Sequence, residues 1–554
     1  MPINSSSKEK CKFIVITGGV ISGLGKGVIT ASIANVLQAQ GYHVGAVKID
    51  PYINIDAGTM RPTEHGEVWV TDDGGETDQD LGTYERFLGR PLSKFNNITT
   101  GQVYQKVIEM ERNLEFDGKC VEPIPHILEE VERRIKTAAR MDSADFMVIE
   151  IGGTVGDYQN IMFLEAMRRM HLRGDHVMFV HVVYLPIPKN IGEMKTKPAQ
   201  HSVRMLNEVG IQPDFVMARS EVALDSVRRE KISIFCSVRP EDVISSPDIS
   251  CIYELPLIFE EQDFTKNILK KFGIEYKKPG EMHKWRSFIN NMKNNESNVR
   301  IAIVGKYFDI GNFTLEDSYI SVIEAIKHAA SKKNVKAEIK WIDSKEFEKN
   351  RESINMLSNF DGIIIPGGFG GSGVEGKIMT VKYARENKIP FLGLCYGMQM
   401  AVIEFARTVC DLESANSSEI DKKTLHPVID ILPEQREFVE NKKYGATMRL
   451  GAYKALLKEN SIVHNLYGNN VASERHRHRY EVNPEYIKTL EDNGLIFSGV
   501  SPDRRLMEFL ELPEEMHPFF VATQAHPEFT SKPLSPNPMF LGFIEAAIKQ
   551  RDKK

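Results

Sequence analysis

The chain has 554 residues, 42% hydrophobic and 26% charged, with 70 Lys and Arg against 76 Asp and Glu for a formal net charge of −6. That composition excludes disordered, collagenous and low-complexity scaffolds, and a mildly acidic balance gives no general reason to bind nucleic acid. Six scattered cysteines with no CxxC exclude a disulfide framework or a zinc site, and no apolar run approaches the roughly 20 residues of a membrane span.

The polar start MPINSSSKEKCK has no signal-peptide core, so a reducing, cytoplasmic setting is expected, without membrane partners. Phe13 to Ile16 and His43 to Lys48 read as buried strands. Ile29, Ile33, Val36 and Leu37 recur at helical spacing between them, and Gly41 is a stop signal. The intervening loop, Gly18-Gly19-Val20-Ile21-Ser22-Gly23-Leu24-Gly25-Lys26-Gly27, joins strand to helix as a phosphate loop does. Its glycines let backbone N–H groups approach phosphate, and Lys26 adds a full charge. The spacing departs from GxxxxGK[ST]: Val20 stands where glycine is expected, and Gly27 replaces the metal-binding hydroxyl. Metal ligands are therefore sought among carboxylates, in the acidic run Thr71 to Asp80 and at Glu150. Glu150 ends the buried strand Phe146 to Ile151, where ligands bind in parallel sheets.

Val177 to Val183 and Phe215 to Ala218 are further strands. In Lys195-Thr196-Lys197-Pro198-Ala199-Gln200 the two lysines point the same way if the chain is extended, which suits a second polyphosphate with Gln200 reading polar edges. The polar stretch Glu275 to Asn298, with Pro279-Gly280, reads as a linker holding a short helix around Trp285 to Met292. A new α/β series starts at Val299, with strands in VRIAIVG, GIIIPGG and PFLGLC. Two domains are expected. Each is an α/β unit whose mostly parallel sheet is flanked by helices.

Gly393-Leu394-Cys395-Tyr396-Gly397 sits between an apolar strand and the helix Met398 to Val409. G-x-C-x-G is the cysteine form of the nucleophile elbow, with the helix N-terminus behind the sulfur. His526 and Glu528, after the strand Phe519 to Thr523, supply a base and its orienting acid. Gly367-Gly368 offers backbone N–H groups for an oxyanion hole. The cluster Glu474 to Arg479 reads as a solvated basic strand, its alternation with Tyr480 and Val482 turning one face to a pocket.

Several long motifs in matching order, KIDPYIN, HGEVWVTDDGGETDQDLGTYERF, EIGGTVGD, GEMKTKPAQHSV, GATMRLGA and ERHRHRYEVN, make the chain resemble the CTP synthases over nearly its whole length. GLCYG and HPE alone make its C-terminal half similar to class I glutamine amidotransferases. The resemblance implies a P-loop-like, Rossmann-type amidoligase domain at 1–274 that binds ATP and UTP, a linker at 275–298 and a glutaminase domain at 299–554. It implies ATP-dependent amination of UTP at C4, with the γ-phosphate passed to the uracil O4 and ammonia drawn from L-glutamine. Free ammonia would be mostly protonated at neutral pH, so a shielded passage joining the two reactions is expected.

By position, the resemblance implies that Ser22, Gly23, Leu24, Gly25, Lys26, Gly27, Lys48 and Asp80 hold ATP, and that Asp80 and Glu150 hold Mg2+. Ser22, Asp157, Gln159, Lys195, Lys197, Gln200 and Lys231 would hold UTP or CTP. Cys395, His526 and Glu528 would form the triad, with Gly368, Tyr396, Gln399, Glu419 and Arg479 forming the oxyanion hole and glutamine pocket. The resemblance further implies CTP as inhibitor, GTP as activator and a homotetramer, with filaments as a further assembly.

Three departures from the family pattern stand out. Tyr396 replaces leucine and is expected to narrow the glutamine pocket. Ser372 replaces an arginine, which weakens the case for GTP activation. Glu122 and Gln159 look exchanged in type, as if sharing one hydrogen-bonding role near the pyrimidine. The competing readings are another amidoligase with a glutaminase domain, and an inert nucleotide-sensing filament scaffold. The scaffold has no need of Lys26, Asp80, Glu150, Cys395, His526 and Glu528 together.

Overall fold

A computed structural model describes residues 11–61, 65–277, 282–306, 319–431 and 448–554, with the backbone of two short strands at 309–310 and 313–314. Pro279-Gly280 of the expected linker and the first three residues of GATMRLGA lie outside the described residues. The chain forms two compact units: Met1–Ala57 with Asp78–Ile289, and Gly58–Thr77 with Asn290–Lys554.

The first unit is built on seven strands, β1 (Lys12–Gly18), β2 (Val44–Asp50), β3 (Asn97–Thr99), β4 (Phe146–Ile151), β5 (Val177–Tyr184), β6 (Phe215–Ser220) and β7 (Val243–Pro247). Their order is β3-β2-β4-β1-β5-β6-β7, and every pairing is parallel. Helices cover both faces, so β1, β2 and β4 are buried at every position, the charged Lys48, Asp50 and Glu150 at their C-terminal ends included. The five strands expected here all fall within this sheet. The short polar strand β3 and the strand β7 carry no such apolar signal. Chain order reverses around β1, and its C-terminal end therefore opens the crevice where such sheets bind ligands. Helix α1 (Lys26–Ala39) starts there with no side-chain cap, leaving its first N–H groups for a ligand.

The stretch expected to be a linker contains the helix Met282–Asn294. Over Met282–Ile289 it is not a free tether. Trp285 is buried, its indole donates to the Tyr253 carbonyl at 2.8 Å, and its ring centroid lies 5.5 Å from that of Phe87.

The second unit carries a nine-stranded sheet of β8 (Asn298–Gly305), β9 (Lys336–Asp343), β10 (Gly362–Ile365), β11 (Phe391–Leu394), β12 (Arg449–Leu457), β13 (Val471–His478), β14 (Ile496–Val500), β15 (Met507–Glu511) and β16 (Phe520–Thr523). The order is β9-β8-β10-β11-β16-β15-β14-β12-β13. The pairings are parallel from β9 to β16 and antiparallel from there to β13. Successive residues of β10 and β11 face opposite cores: Ile363, Ile365 and Phe391 on one side, Ile364 and Leu392 on the other. The parallel half thus holds the end of β11, and the residue after it, in a fixed place.

Candidate active sites

In the first unit the loop after β1 keeps the turn geometry of a phosphate loop. Gly23 and Gly25 have φ of 73° and 77°, and Val20 is left-handed as well, at 84°. A β-branched residue in that conformation costs about 1–3 kcal/mol, so the loop holds a shape that glycine would adopt freely. Lys26 is buried and donates to the Gly153 carbonyl at 2.8 Å. Burial lowers its pKa, with Glu150 opposing. Ser22 is exposed and Leu24 is buried, which leaves the Leu24 backbone as its polar part.

Behind the loop, Lys48 on β2 bonds Asp80 and Glu150, the latter at 3.1 Å, with Asp50 at 3.8 Å. Burial alone would discharge this ammonium, but Asp80 and Glu150 raise its pKa well above the ordinary value. Burial, then Asp80, raises the Glu150 carboxyl, which also accepts the Tyr84 hydroxyl. Asp80 opens helix α2 (Gln79–Leu88), whose N-cap is Asp78. A Cβ placed on Gly27 would collide with Asp80 Oδ1. An Asp80 carboxylate oxygen therefore occupies the space that a serine or threonine side chain would fill in the usual motif. Asp80 thus places one anionic oxygen where Gly27 lacks the loop hydroxyl, a donor of the hard kind that a divalent cation takes. Among the described residues no cluster of three or more His, Cys, Asp or Glu forms a complete cage.

The acidic run is divided between the units. Asp78 and Asp80 belong here, whereas Asp72 and Glu76 belong to the second unit, where they pair with Arg475 and Arg477. Of the run's carboxylates, one or two of which were expected as metal ligands, Asp78 and Asp80 are thus the ones in the same unit as Glu150.

Lys195 pairs with Glu193 at 2.6 Å, Arg228 reaches the same carboxylate at 3.2 Å, and Lys231 acts on its charge. The structure thus brings Lys195 and Lys231 together with an arginine absent from the expected set. Lys197 begins helix α3 (Lys197–Glu208) and lies 5.8 Å from the Phe235 ring centroid, and Gln200 donates to Thr196. Asp157 accepts from the Thr154 amide and hydroxyl, while Gln159 and Glu122 are exposed. His181 escaped the sequence reading. It joins Thr17 to Ser202 at 2.8 and 2.7 Å, tying α3 to β1. Burial lowers its pKa to about 3, so it serves as a neutral donor–acceptor link.

In the second unit Cys395 follows β11 with φ 49° and ψ −99° and caps helix α4 (Tyr396–Thr408). Both flanking glycines are required. A Cβ on Gly397 would lie 2.2 Å from the Ile365 carbonyl oxygen, and one on Gly393 would strike Ala522 and Gly397. Gln524, also missed from sequence, donates to Cys395 Sγ at 3.6 Å. His526 Nδ1 lies 2.7 Å from Glu528 Oε1. Burial opposes charge on this imidazole, but Glu528 and then Cys395 raise its pKa to about 10.

The glycine loop lies against this pair, since a Cβ on Gly367 would sit 2.7 Å from His526 Cε1. Gly370 donates its N–H to Glu419 at 2.8 Å, and its carbonyl accepts the Tyr396 hydroxyl at 2.7 Å. The Tyr396 ring is fully buried and underlies Gly368, so it braces the loop. Lys377 Nζ lies 5.0 Å from the centroid of that ring. Gln399 donates to the Tyr480 carbonyl, and Arg479 is half-buried beside Tyr480. Ser372 is exposed.

The strand expected to be solvated is not. Glu474, Arg475, His476 and His478 are all buried. Arg449 bridges Glu481 at 3.2 Å and Glu508 at 2.6 Å, and burial followed by the Arg449 charge holds both histidines well below their ordinary pKa.

A thiol on a strained turn, with a histidine–carboxylate pair beside it and a nucleotide loop on a separate sheet, defines a ligase class that takes nitrogen from an amide and energy from a nucleotide. Comparison with known proteins narrows the class. Residues 12–274 match the family described as CTP synthase N-terminus, and residues 314–546 match glutamine amidotransferase class-I. The CTP synthase of Thermococcus gammatolerans is 50% identical over 543 residues, covering 98% of this chain and 99% of that protein. That of Sulfolobus acidocaldarius is 49% identical over 537 residues, covering 97% and 99%. The solved glutaminase domain of Trypanosoma brucei CTPS with bound acivicin is 40% identical, with a TM-score of 0.42, over 45% of this chain and 94% of that one. The chain belongs to the CTP synthase family, glutamine-hydrolysing ligases that aminate UTP to CTP at the expense of ATP. Among the described residues no helix is long and apolar enough to cross a membrane.

Proposed function

We propose that Cys395, His526 and Glu528 hydrolyse glutamine, and that the crevice at β1 carries the ATP-dependent step on UTP. The observation that carries this is the His526–Glu528 pair at 2.7 Å next to the strained Cys395. Cys395 gives its thiol proton to His526, and its Sγ attacks the glutamine amide carbon. The backbone N–H groups of Gly368 and Tyr396 take the developing oxyanion. His526 passes a proton to the departing nitrogen, so ammonia leaves and a thioester remains for water to cleave. Glu419, Gln399 and Arg479 line the pocket for the amino-acid end of the substrate.

In the first unit Ser22 to Gly27 cradle the ATP phosphates through backbone N–H groups, and Lys26 and Lys48 offset their charge. Asp80 and Glu150 would hold Mg2+, which when bound neutralises the phosphate oxygens and aligns them for transfer. The position of Asp80 in the place of the missing loop hydroxyl supports that reading. Lys195, Lys231 and Arg228, gathered round Glu193, suit a second triphosphate, with Lys197, Gln200, Asp157 and Gln159 completing the UTP site. CTP shares that triphosphate, which makes it the natural inhibitor. GTP activation, the homotetramer and its filaments rest on the family pattern, and Ser372 makes weaker GTP activation the expectation. All six cysteines are free thiols, in keeping with a cytoplasmic setting. The proposed division of labour is 1–274 for synthesis and 299–554 for glutamine hydrolysis, except that Gly58–Thr77 goes with the latter.

Two experiments test these assignments. Glu528→Gln removes the charge that raises the His526 pKa, so the basic limb of the glutaminase pH profile should move down from about 10 toward the ordinary imidazole range. An unmoved limb would show that the Glu528 charge does not set the His526 pKa. The linkage has the same sign. A histidine whose folded pKa is raised contributes stability fully below about pH 6.5, lost as pH rises through about 10, and Glu528→Gln should reduce that contribution. Asp80→Asn should raise the Mg2+ concentration needed for half-maximal synthesis about tenfold or more with either nitrogen source. An unchanged Mg2+ titration would remove Asp80 from the metal site.

A further inference from the structure

The segment Gly58–Thr77 comes from the first half of the sequence, yet it belongs to the second unit, and the chain rejoins the first at Asp78. It forms a small hairpin, with Trp69–Val70 antiparallel to Glu76–Thr77. The hairpin is held at several points. The Ala452 amide on β12 donates to the Asp72 carbonyl at 2.9 Å. A Cβ on Gly451, whose φ is 95°, would lie 2.6 Å from the same oxygen, so a glycine is needed for the approach. Arg477 donates to Glu76 Oε1 at 2.8 Å and to the Gly58 carbonyl at 3.1 Å. The amide of Ser321, at the start of a long helix, donates to Glu67 at 3.1 Å.

Two routes lead from this hairpin to one residue. Trp69 is 1% exposed and packs on Phe529, with ring centroids 4.9 Å apart. Phe529 stacks on the His526 ring at 5.1 Å and 15°. The second route runs through Arg475, whose side chain is 1% exposed and lies 5.2 Å over the Trp69 ring. Its Nε donates to Asp72 Oδ1 at 2.5 Å, while its own carbonyl accepts the His526 amide at 2.7 Å. One route therefore fixes the imidazole plane and the other its backbone. A ring between two such supports has few orientations left, and a misplacement of about 1 Å in a catalytic group can cost on the order of 100-fold in rate.

We propose that Gly58–Thr77 is a positioning element of the glutaminase, with Trp69 and Asp72 setting the orientation of His526 through Phe529 and Arg475. The proposal rests on His526 being the triad histidine. Neither residue touches the sulfur, so both act through others. Their loss should lower the turnover of glutamine more than its binding. The device also accounts for a buried tryptophan and arginine in contact within a unit otherwise built from the C-terminal half.

The test uses the full chain and four variants: Trp69→Ala, Trp69→Phe, Asp72→Asn and, as reference, Cys395→Ala. For each, kcat and KM for glutamine are measured alongside CTP synthesis from ammonium. Trp69→Ala should lower the glutamine kcat on the order of 100-fold, with KM nearly unchanged and ammonia-driven synthesis intact. Trp69→Phe, which keeps a ring against Phe529, should recover most of the loss. Asp72→Asn should lower kcat about tenfold. An unaltered kcat in Trp69→Ala, or no better activity in Trp69→Phe than in Trp69→Ala, overturns the proposal. Should Trp69→Ala lose both reactions through misfolding, Asp72→Asn decides, because its half-exposed carboxylate is not part of the core. An unchanged kcat there overturns the proposal. Cys395→Ala separates the two readings. If it remains active with glutamine, the triad assignment falls and the proposal with it; if it is dead while Trp69→Ala is normal, only the proposal falls.

Discussion

Cys395→Ala should lose glutamine-driven CTP synthesis by at least about 10³-fold while keeping synthesis from ammonium. The loss is large because alanine offers no nucleophile, and without the thioester the oxyanion donors have no tetrahedral intermediate to stabilise. The fold should tolerate the change. Cys395 is buried and adopts a left-handed φ of 49°. Alanine meets the same strain there, and the constraints on the turn lie in Gly393 and Gly397. Ammonia-driven synthesis should persist because Lys26, Lys48, Asp80 and Glu150 all belong to the first unit. Two assays on one preparation, with glutamine and with ammonium, measure this. Loss of both activities would make Cys395 a structural residue, and retention of both would move the nucleophile elsewhere.

The residues that were legible in the sequence are those whose signal is local. The central strands β1 and β4 announce themselves by the apolar runs FIVI and FMVI, because both of their faces are covered. The cysteine turn needs two glycines within two residues of the sulfur, and the acid of the pair lies two residues from its histidine. Signals that depend on long-range register were not readable. The buried Glu474–His478 strand looks like a solvated charge run until Arg449, Glu481 and Glu508 arrive from other strands to pair its neighbours. Gln524 is one polar residue at a strand end, and only its 3.6 Å approach to Cys395 distinguishes it. The acidic run gives no compositional sign that the chain changes units between Thr77 and Asp78. The helix within the expected linker was visible, but its packing was not. Trp285, Phe288 and Ile289 share a helical face, and only the structure supplies Phe87 and Tyr253 to meet them.

Lys48→Met should produce the mirror image of the cysteine variant: synthesis falls with either nitrogen source, while glutamine hydrolysis persists. Methionine keeps most of the side chain's length and removes the ammonium that holds Asp80 and Glu150. Breaking a buried ion pair by deleting one partner costs roughly 3–5 kcal/mol, so the first unit should melt earlier as well as lose activity. Carboxylates remain close together once the lysine is gone. Burial already raises Asp50 to about 6 and Asp78 to about 7, despite the opposing Lys48 charge. Without that charge all of these groups move further up. A carboxyl whose folded pKa exceeds its unfolded value binds more protons folded than unfolded, so stability falls as pH rises between the two values. The deficit of Lys48→Met relative to the parent should therefore be small near pH 5 and widen toward pH 8. Thermal melts across that range, with both nitrogen-source assays, measure the two effects. A deficit that narrows as pH rises would mean that Lys48 does not act by neutralising its carboxylate neighbours, and an active variant would remove it from the nucleotide site.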